Sequence, residues 1–323
     1  MSVLNDSVWH RHAFANRLQS ALLLLSMGAF LTLVGWLLWG VNGVIMLLPA
    51  GVALVLINPG VTPWLIMRMY GAVRLSPEQA PLLHSALHEL SSRAGLSRTP
   101  LLYYIPSSII NAFALGRRDN AAIALSDGLL RVLDTREAIV VLAHELSHIR
   151  NNDIRVMGVA DLFSRLTSLL SLFGLLLLLV NLPLIVLGAA SINWFAILIL
   201  IFAPHLSALA QMGLSRTREY DADLNAVNLT GDPEGLARAL VKIDQTGGNF
   251  LERILLPGRR IPEPSLLRTH PPTEERVKRL MQLKSSRRST PSSVALRRSE
   301  PPEYIARALI QQTPRWRITG LWH

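Results

Sequence analysis

Polar and apolar positions are divided unevenly along this chain. Between Leu18 and Met67, and again between Leu166 and Ser215, there is no Asp, Glu, Lys or Arg. An uncharged tract of that length accommodates two helical crossings of a bilayer at about 20 residues each. Each is interrupted near its middle, by Gly40-Val41-Asn42-Gly43 in the first and Ala190-Ser191-Ile192-Asn193 in the second. The pattern predicts four transmembrane helices in two hairpins, at 18–39, 44–66, 167–189 and 193–213. The first tract is too long for a secretory signal and lacks a clear small-residue cleavage site, so it reads as retained.

Between and after the tracts the pattern changes to shorter elements. Ser76-Pro77-Glu78 reads as a helix start, with Ser76 as N-cap and Pro77 at the first helical position, leading into Leu82, Leu83, Ala86, Leu87 and Leu90 at helical spacing. Leu101–Ile105, Ile110–Gly116 and Ala121–Ser126 read as short strands, with Arg117-Arg118-Asp119-Asn120 as the turn between the last two. Two roles are open for them: purely structural strands, or an exposed edge that holds an extended peptide by main-chain hydrogen bonds. Asp134 and Glu137 stand in capping-box spacing at the head of a helix reaching about Asn151, with Ile139, Leu142, Leu146 and Ile149 as its core face. Further helices are expected over 214–226, over 234–244 and up to about Leu283, with a Gly-, Pro- and Arg-containing loop over 247–264.

Charge then orients the molecule. The net charge is +10, carried mostly by Arg, while only 17% of residues are charged and half are hydrophobic. A basic balance suggests nucleic acid in a soluble protein. Here the basic residues flank the apolar tracts and crowd the C-terminal tail, so a lipid bilayer, and no nucleic acid, is the partner the distribution predicts. Arg11 and Arg17 before the first hairpin, with Arg68 and Arg74 after it, place all charged segments on the cytoplasmic face. With no cysteine, disulfides, iron–sulfur clusters and thiolate zinc sites are excluded.

The chemistry is concentrated in His144-Glu145-Leu146-Ser147-His148, an H-E-x-x-H pattern inside the helix capped by Asp134. Residues four apart share a helix face, so both imidazoles can address one cation. Glu145 lies about 100° round the helix, where it can hold a water without being a ligand. The pair His84 and His88 has the same spacing but Ser85 in the position of the base, and reads as ordinary helix surface. A catalytic zinc site with two histidines takes a third ligand, commonly a carboxylate. Glu219 is the candidate, and Asp223, one turn on, is an acceptor for the free nitrogen of a ligand histidine. Arg216 and Arg218 would be ion-pair partners if that acidic face were merely solvated. His205, the one ionisable side chain of the second tract, reads as a neutral, hydrogen-bonded histidine near the interface.

Taken in order, Asn111-Ala112-Phe113-Ala114, His144-Glu145-Leu146-Ser147-His148, a hydrophobic hairpin, Arg216-Thr217-Arg218-Glu219-Tyr220-Asp221-Ala222-Asp223 and Thr269-His270-Pro271-Pro272 with Arg276 resemble the HtpX-like family of membrane zinc metallopeptidases, related to the CAAX prenyl proteases. The resemblance covers Leu18 to Leu283. It implies that His144, His148 and Glu219 ligate Zn2+, that Glu145 is the general base and that Asp223 supports the ligand shell. It also implies that Asn111 and His270 lie near the reacting carbonyl and that Arg276 orients Asp223. Leu115 departs from the family, whose strand motif more often carries threonine there.

The expected fold is mainly α and integral to the membrane, with four transmembrane helices in two hairpins and a zincin-like metallopeptidase domain containing a small β-sheet. Residues 1–17 are a lead, 18–66 the first hairpin, 76–165 and 214–284 the two parts of the catalytic domain around the second hairpin at 166–213, and 285–323 a basic flexible tail. The expected function is zinc-dependent hydrolysis of peptide bonds in protein or peptide substrates. By family analogy these are misfolded or damaged membrane proteins at a bacterial inner membrane, with the site on the cytoplasmic side. Processing of one defined peptide or lipidated substrate is an alternative. A non-catalytic zinc-binding scaffold is another, and it gives Glu145 no role.

Overall fold

The first uncharged tract, in the computed structural model of the chain, lies in one long element, α1 (Asp6–Ile57), broken at Gly40. The structure describes residues 6–57, 63–188, 193–246 and 271–284. Gly40 has φ 62° and ψ −143°, a conformation outside the helical well that only glycine adopts without strain. Beyond it the chain turns back. Gly43 lies so close to the Gly35 carbonyl that a Cβ at 43 would overlap it, whereas eight residues of straight helix would separate them by about 12 Å.

Two more long helices complete an apolar bundle, α6 (Asp153–Val180) and α8 (Trp194–Thr230), with the short α7 (Leu182–Val186) between them in sequence. Among the described residues three helices, rather than the expected four, are long and apolar enough to cross a membrane: α1 over Arg11–Leu47, α6 and α8. The difference lies in the limb after Gly40, which continues α1 to Ile57, while Pro63–Met69 is a separate short helix, α2. Met27 of α1 packs with Met157 and Ala160 of α6 and Ala210 and Leu214 of α8, Val34 of α1 packs with Leu200 and Ala203 of α8, and Gly174 of α6 lies against Leu38 and Leu200. The small residues in this set allow backbones to approach closely, as helices in lipid require. Leu25, Leu172, Leu179, Phe195, Phe202 and Leu209 point outward and are exposed. An apolar belt of that extent belongs in lipid, and the protein is integral to the membrane.

A mixed four-stranded sheet stands beside the bundle: β1 (Val73–Arg74), β2 (Leu101–Ile105), β3 (Ala112–Arg117) and β4 (Asn120–Ser126), in the order β1-β2-β4-β3. β2 and β4 are parallel; β3 and β4 form a hairpin across Arg118-Asp119, with Phe113 opposite Ala124. β3 is therefore an edge. β1, only two residues long, is too short to leave a pattern in the sequence. The helix expected to begin at Ser76-Pro77 begins later, as α3 (Pro81–Arg93) with Pro81 in its first turn. Ser76 closes a turn instead, its carbonyl accepting from Gln79 N–H and its own N–H donating to the Gln79 side chain. His84 and His88 bond the Leu75 carbonyl and the Thr99 hydroxyl, and so serve the packing of α3.

After α4 (Asp127–Val132) comes α5 (Thr135–Asn151), with Asp134 and Glu137 forming a complete capping box. Glu137 is buried and also receives Lys242 at 2.7 Å from α9 (Pro233–Thr246). Leu142, Leu146 and Ile149 are buried as expected, whereas Ile139 is only half-buried. Val140, Val141 and Ala143 are buried as well, because the sheet, α8 and α9 enclose α5 on several sides. α10 (Thr273–Lys284) packs on α9. The 247–264 loop and the 285–323 tail lie outside the described residues.

Asp232 joins α8, α9 and α5. It follows Gly231, which ends α8 in the left-handed conformation at φ 70°, it accepts from Gly235 N–H at 2.9 Å, and it pairs with Arg136 at 2.6 Å. Burial opposes the charge on Asp232, but Arg136 and the Gly235 N–H prevail and hold its carboxyl below the usual range. A depressed folded value means that its contribution is present above the ordinary carboxyl range, near pH 4, and is lost as pH falls through the folded value. Asp232→Ala is expected to lower stability by about 1 kcal/mol, mostly as a lost cap. Denaturant unfolding in detergent should show that deficit at pH 7 and a smaller one at pH 3.

Candidate metal centre

Four helices bring the site together. α5 supplies His144, Glu145 and His148, α8 supplies Glu219 and Asp223, α6 begins with Asp153, and α10 supplies Arg276. The His144 and His148 Nε2 atoms are 3.2 Å apart, and the Glu219 carboxylate reaches them at 3.5 and 3.7 Å. Ligand atoms of all three residues lie within 4.8 Å of one another. The imidazoles come from one helical turn, as their spacing demands. Glu219 meets them because α8 does not stop at the end of its apolar part but continues alongside α5.

Each imidazole is held from behind. His144 Nδ1 is 3.1 Å from Asp223, and Arg276 clamps that carboxylate with two hydrogen bonds, at 2.8 and 2.6 Å. The same guanidinium lies 3.5 Å from Glu219. His148 Nδ1 is 2.8 Å from Asp153. Asp153 is brought there by Asn152, whose left-handed backbone (φ 55°) separates α5 from α6 within a single residue. Each Nδ1 is thereby engaged and each Nε2 turned toward the shared point, the arrangement in which a histidine is fixed as a ligand.

The electrostatics favour a cation. Glu145, Asp153, Glu219, Asp221 and Asp223 are all buried here, with Arg276 and Arg218 as the guanidiniums among them. Burial alone would suppress a charge on His144, but the close Asp223 and Glu219 carboxylates outweigh it and raise the imidazole to about 10. His148 is raised too, with burial opposed chiefly by Asp153. For Arg276, burial is outweighed by Asp223, and the guanidinium is held firmly charged. Two nitrogens and a carboxylate oxygen, converging in an acidic buried setting, suit a divalent transition metal.

His144, His148, Glu219, Asp223 and Arg276 are thus brought together, with the Glu145 carboxyl close enough for its charge to act on Arg276. Asn111 is fixed by its main chain. Its N–H donates to the Ser126 hydroxyl at 2.9 Å and its carbonyl accepts from Ser126 N–H at 3.0 Å, which pins the head of edge strand β3. β3 itself packs on α5, the helix that carries the histidines. His270 lies outside the described residues. His205 is exposed on α8, its Nδ1 2.9 Å from the Ile201 carbonyl.

Asp153 is not among the residues expected from the sequence, and Arg218 is expected there only as an ion-pair partner on a solvated face. Arg218 in fact bonds Asp153 at 2.6 Å and Asp221 at 3.0 Å. The available signal was Asn151-Asn152-Asp153, a polar break directly after the metal helix that returns a carboxylate toward its last turn.

A raised His144 means that metal must displace a proton. Affinity should therefore climb with pH, by about tenfold per unit between pH 6 and 8, because ligands must be deprotonated to bind. Competition against a chelator of known pH-corrected affinity measures this; a flat profile would show that the metal-free imidazole carries no proton.

Comparison with known proteins agrees with this chemistry. Peptidase family M48 matches residues 77–284. A Protease HtpX homolog of Bifidobacterium longum is 34% identical, over 92% of this chain and 99% of its own length. One from Acaryochloris marina is 36% identical, over 86% and 98%. The crystal structure of S. mikatae Ste24p aligns with a TM-score of 0.39 at 20% identity, covering 84% of this chain, which spans about two thirds (66%) of that one. Matched across the whole metal centre and similar to the HtpX homologues over most of its length, the protein is a membrane metalloprotease and belongs to peptidase family M48.

Proposed function

We propose that this protein is a zinc metalloendopeptidase of a bacterial inner membrane, that its active site faces the cytoplasm, and that it hydrolyses misfolded or damaged membrane proteins. The observation that carries the reading is the convergence of His144, His148 and Glu219 within 4.8 Å, with Glu145 buried beside them on the same helix. Zinc suits a nitrogen, nitrogen and carboxylate set better than the harder Mg2+ or Ca2+, which prefer oxygen cages. Bound there, it would polarise the scissile carbonyl and lower the pKa of a coordinated water toward about 7.

The chain's own residues do the rest. Glu145 accepts the proton of the attacking water and delivers it to the leaving amine. Asp223, clamped by Arg276, holds the His144 ring by its Nδ1 atom. Asn111 and His270 donate to the developing oxyanion, where one well-placed donor contributes about 3 kcal/mol. The edge of β3 receives an extended segment of the substrate by main-chain hydrogen bonds.

In the membrane, the two limbs of α1 on either side of Gly40 cross as a hairpin, which with α6 and α8 makes four crossings. Arg11, Arg17, Arg68 and Arg74 flank the first apolar tract; with both hairpins returning to the side they left, the metal centre shares their side, and the positive-inside rule makes that side cytoplasmic. Substrates drawn from the same bilayer then meet the site at its surface.

Glu145→Gln tests the chemistry. The variant should retain about one zinc per chain while cleavage of an unfolded protein in detergent falls by about 100-fold or more. Chelator should abolish wild-type cleavage. A Glu145→Gln enzyme that cleaves at the wild-type rate would remove Glu145 from the mechanism.

A further inference from the structure

Residues 1–17 are expected from the sequence as a lead before the membrane, yet the helix they enter is tied to the metal centre. Asn16 of α1 is buried, at 5% exposure, and its Nδ2 donates to Asp221 Oδ1 at 2.7 Å. A carboxylate can only accept, so the amide is oriented by its partner. The other Asp221 oxygen accepts from Arg218 Nη1 at 3.0 Å. Arg218 Nε donates to Asp153 Oδ1 at 2.6 Å, and a second Arg218 nitrogen also contacts that carboxylate. The remaining Asp153 oxygen is 2.8 Å from His148 Nδ1.

This is an unbroken polar path across four helices, from α1 through α8 and the first residue of α6 to an imidazole on α5. All its members are buried or nearly so: the Arg218 side chain is 11% exposed and the His148 imidazole, the most accessible, 16%. Away from water such contacts are strong, and a member that loses its partner is costly to keep buried. His148 differs from His144 in this respect. Asp223, behind His144, is fixed by a guanidinium from the neighbouring α10, whereas Asp153, behind His148, is fixed by an Arg218 whose second partner is tied to the first membrane helix.

We propose that Asn16 is a positioning residue for the metal centre: through Asp221, Arg218 and Asp153 it fixes the His148 ring, so that metal retention depends on the docking of the first membrane helix. The inference rests on His148 being a ligand, as read above. A purely structural contact would stabilise the fold without touching the metal. A positioning contact changes the ligand geometry, because a freed Arg218 shifts on Asp153 and the imidazole turns with it. The N-terminal end of α1 would then be part of the working site rather than its tether.

The test uses the full-length protein in detergent, with zinc affinity measured by chelator competition and ligand geometry read from the visible spectrum of the Co2+-substituted form. Asp153→Ala should weaken zinc binding by about 10- to 100-fold, the usual cost of losing a group behind a ligand histidine. Asn16→Ala should weaken it less, by about 3- to 10-fold on the same scale, and should shift the Co2+ spectrum. In the Asp153→Ala background, adding Asn16→Ala should change zinc affinity no further. Should Asn16→Ala fail to fold, the near-isosteric Asn16→Asp sets two carboxylates against each other and carries the same expectation. Wild-type zinc affinity and an unchanged Co2+ spectrum in either folded Asn16 variant would overturn the proposal, even if thermal stability fell. An additive loss in the Asp153→Ala background would overturn it as well. If instead the wild type takes up no stoichiometric zinc, or His148→Ala and Glu219→Ala bind it as tightly, the ligand assignment itself fails.

Discussion

Burying carboxylates around two imidazoles is the constraint from which the rest of the molecule follows. Glu145, Asp153, Glu219, Asp221 and Asp223 are held away from water, and an uncompensated buried charge costs several kcal/mol. Arg276 and Arg218 answer part of that charge, each placed so that one guanidinium serves two carboxylates. What they leave is acidic. Without metal the imbalance is met by protons on the imidazoles, which is why His144 titrates so far above its ordinary range. With metal, a divalent cation takes the protons' place. Proton and metal compete for one electrostatic role, so the same residues that bind the cation keep the metal-free fold tolerable.

The constraint also explains why the site stands where it does. Groups of this kind need ends of helices that water can reach, yet they must be held rigidly. α8 meets both needs by running from lipid-facing Trp194 and Phe195 to Glu219 and Asp223 in one element. Glu219 stands about 9 Å beyond Gly213 at the helical rise, outside the apolar zone but on the same rod. α6 does the same in reverse, starting at Asp153 beside His148 and running down into the bundle. Two of the bundle's helices thus carry site carboxylates at their polar ends, and a displacement of either in the bilayer displaces the centre with it.

Much of this was legible in the chain because it obeys local rules. The metal helix announces itself through Asp134 and Glu137 at its head and through histidines one turn apart, all features of spacing within a single element. The hairpin of β3 and β4 is local as well. Where the sequence misled, the cause was an interaction with no local pattern. Ser76-Pro77 looks like a helix start, but Ser76 closes a turn on Gln79, and α3 starts at Pro81. Asp153 and Arg218 lie 65 residues apart and Asn16 and Asp221 lie 205 apart, so nothing in the neighbourhood of any of them names its partner. Ordered motifs led to Glu219, Asp223 and Arg276, but these residues gave no hint of a path ending on α1.

Access to the site then limits what it can act on. His144 and Glu145 keep only 6% and 8% of their surface exposed, and the cluster is bounded by α5, α6, α8 and α10. A folded domain cannot present a peptide bond to groups so recessed, because the scissile carbonyl must come within about 3 Å of the reacting atoms. An extended chain can, and β3, an edge of the sheet among the described residues and packed on α5, is where the proposed main-chain pairing would hold one. Main-chain pairing reads conformation rather than side chains. A recessed base beside such an edge would therefore favour substrate that is already unfolded, which is the physical ground on which we propose damaged rather than native proteins as substrates.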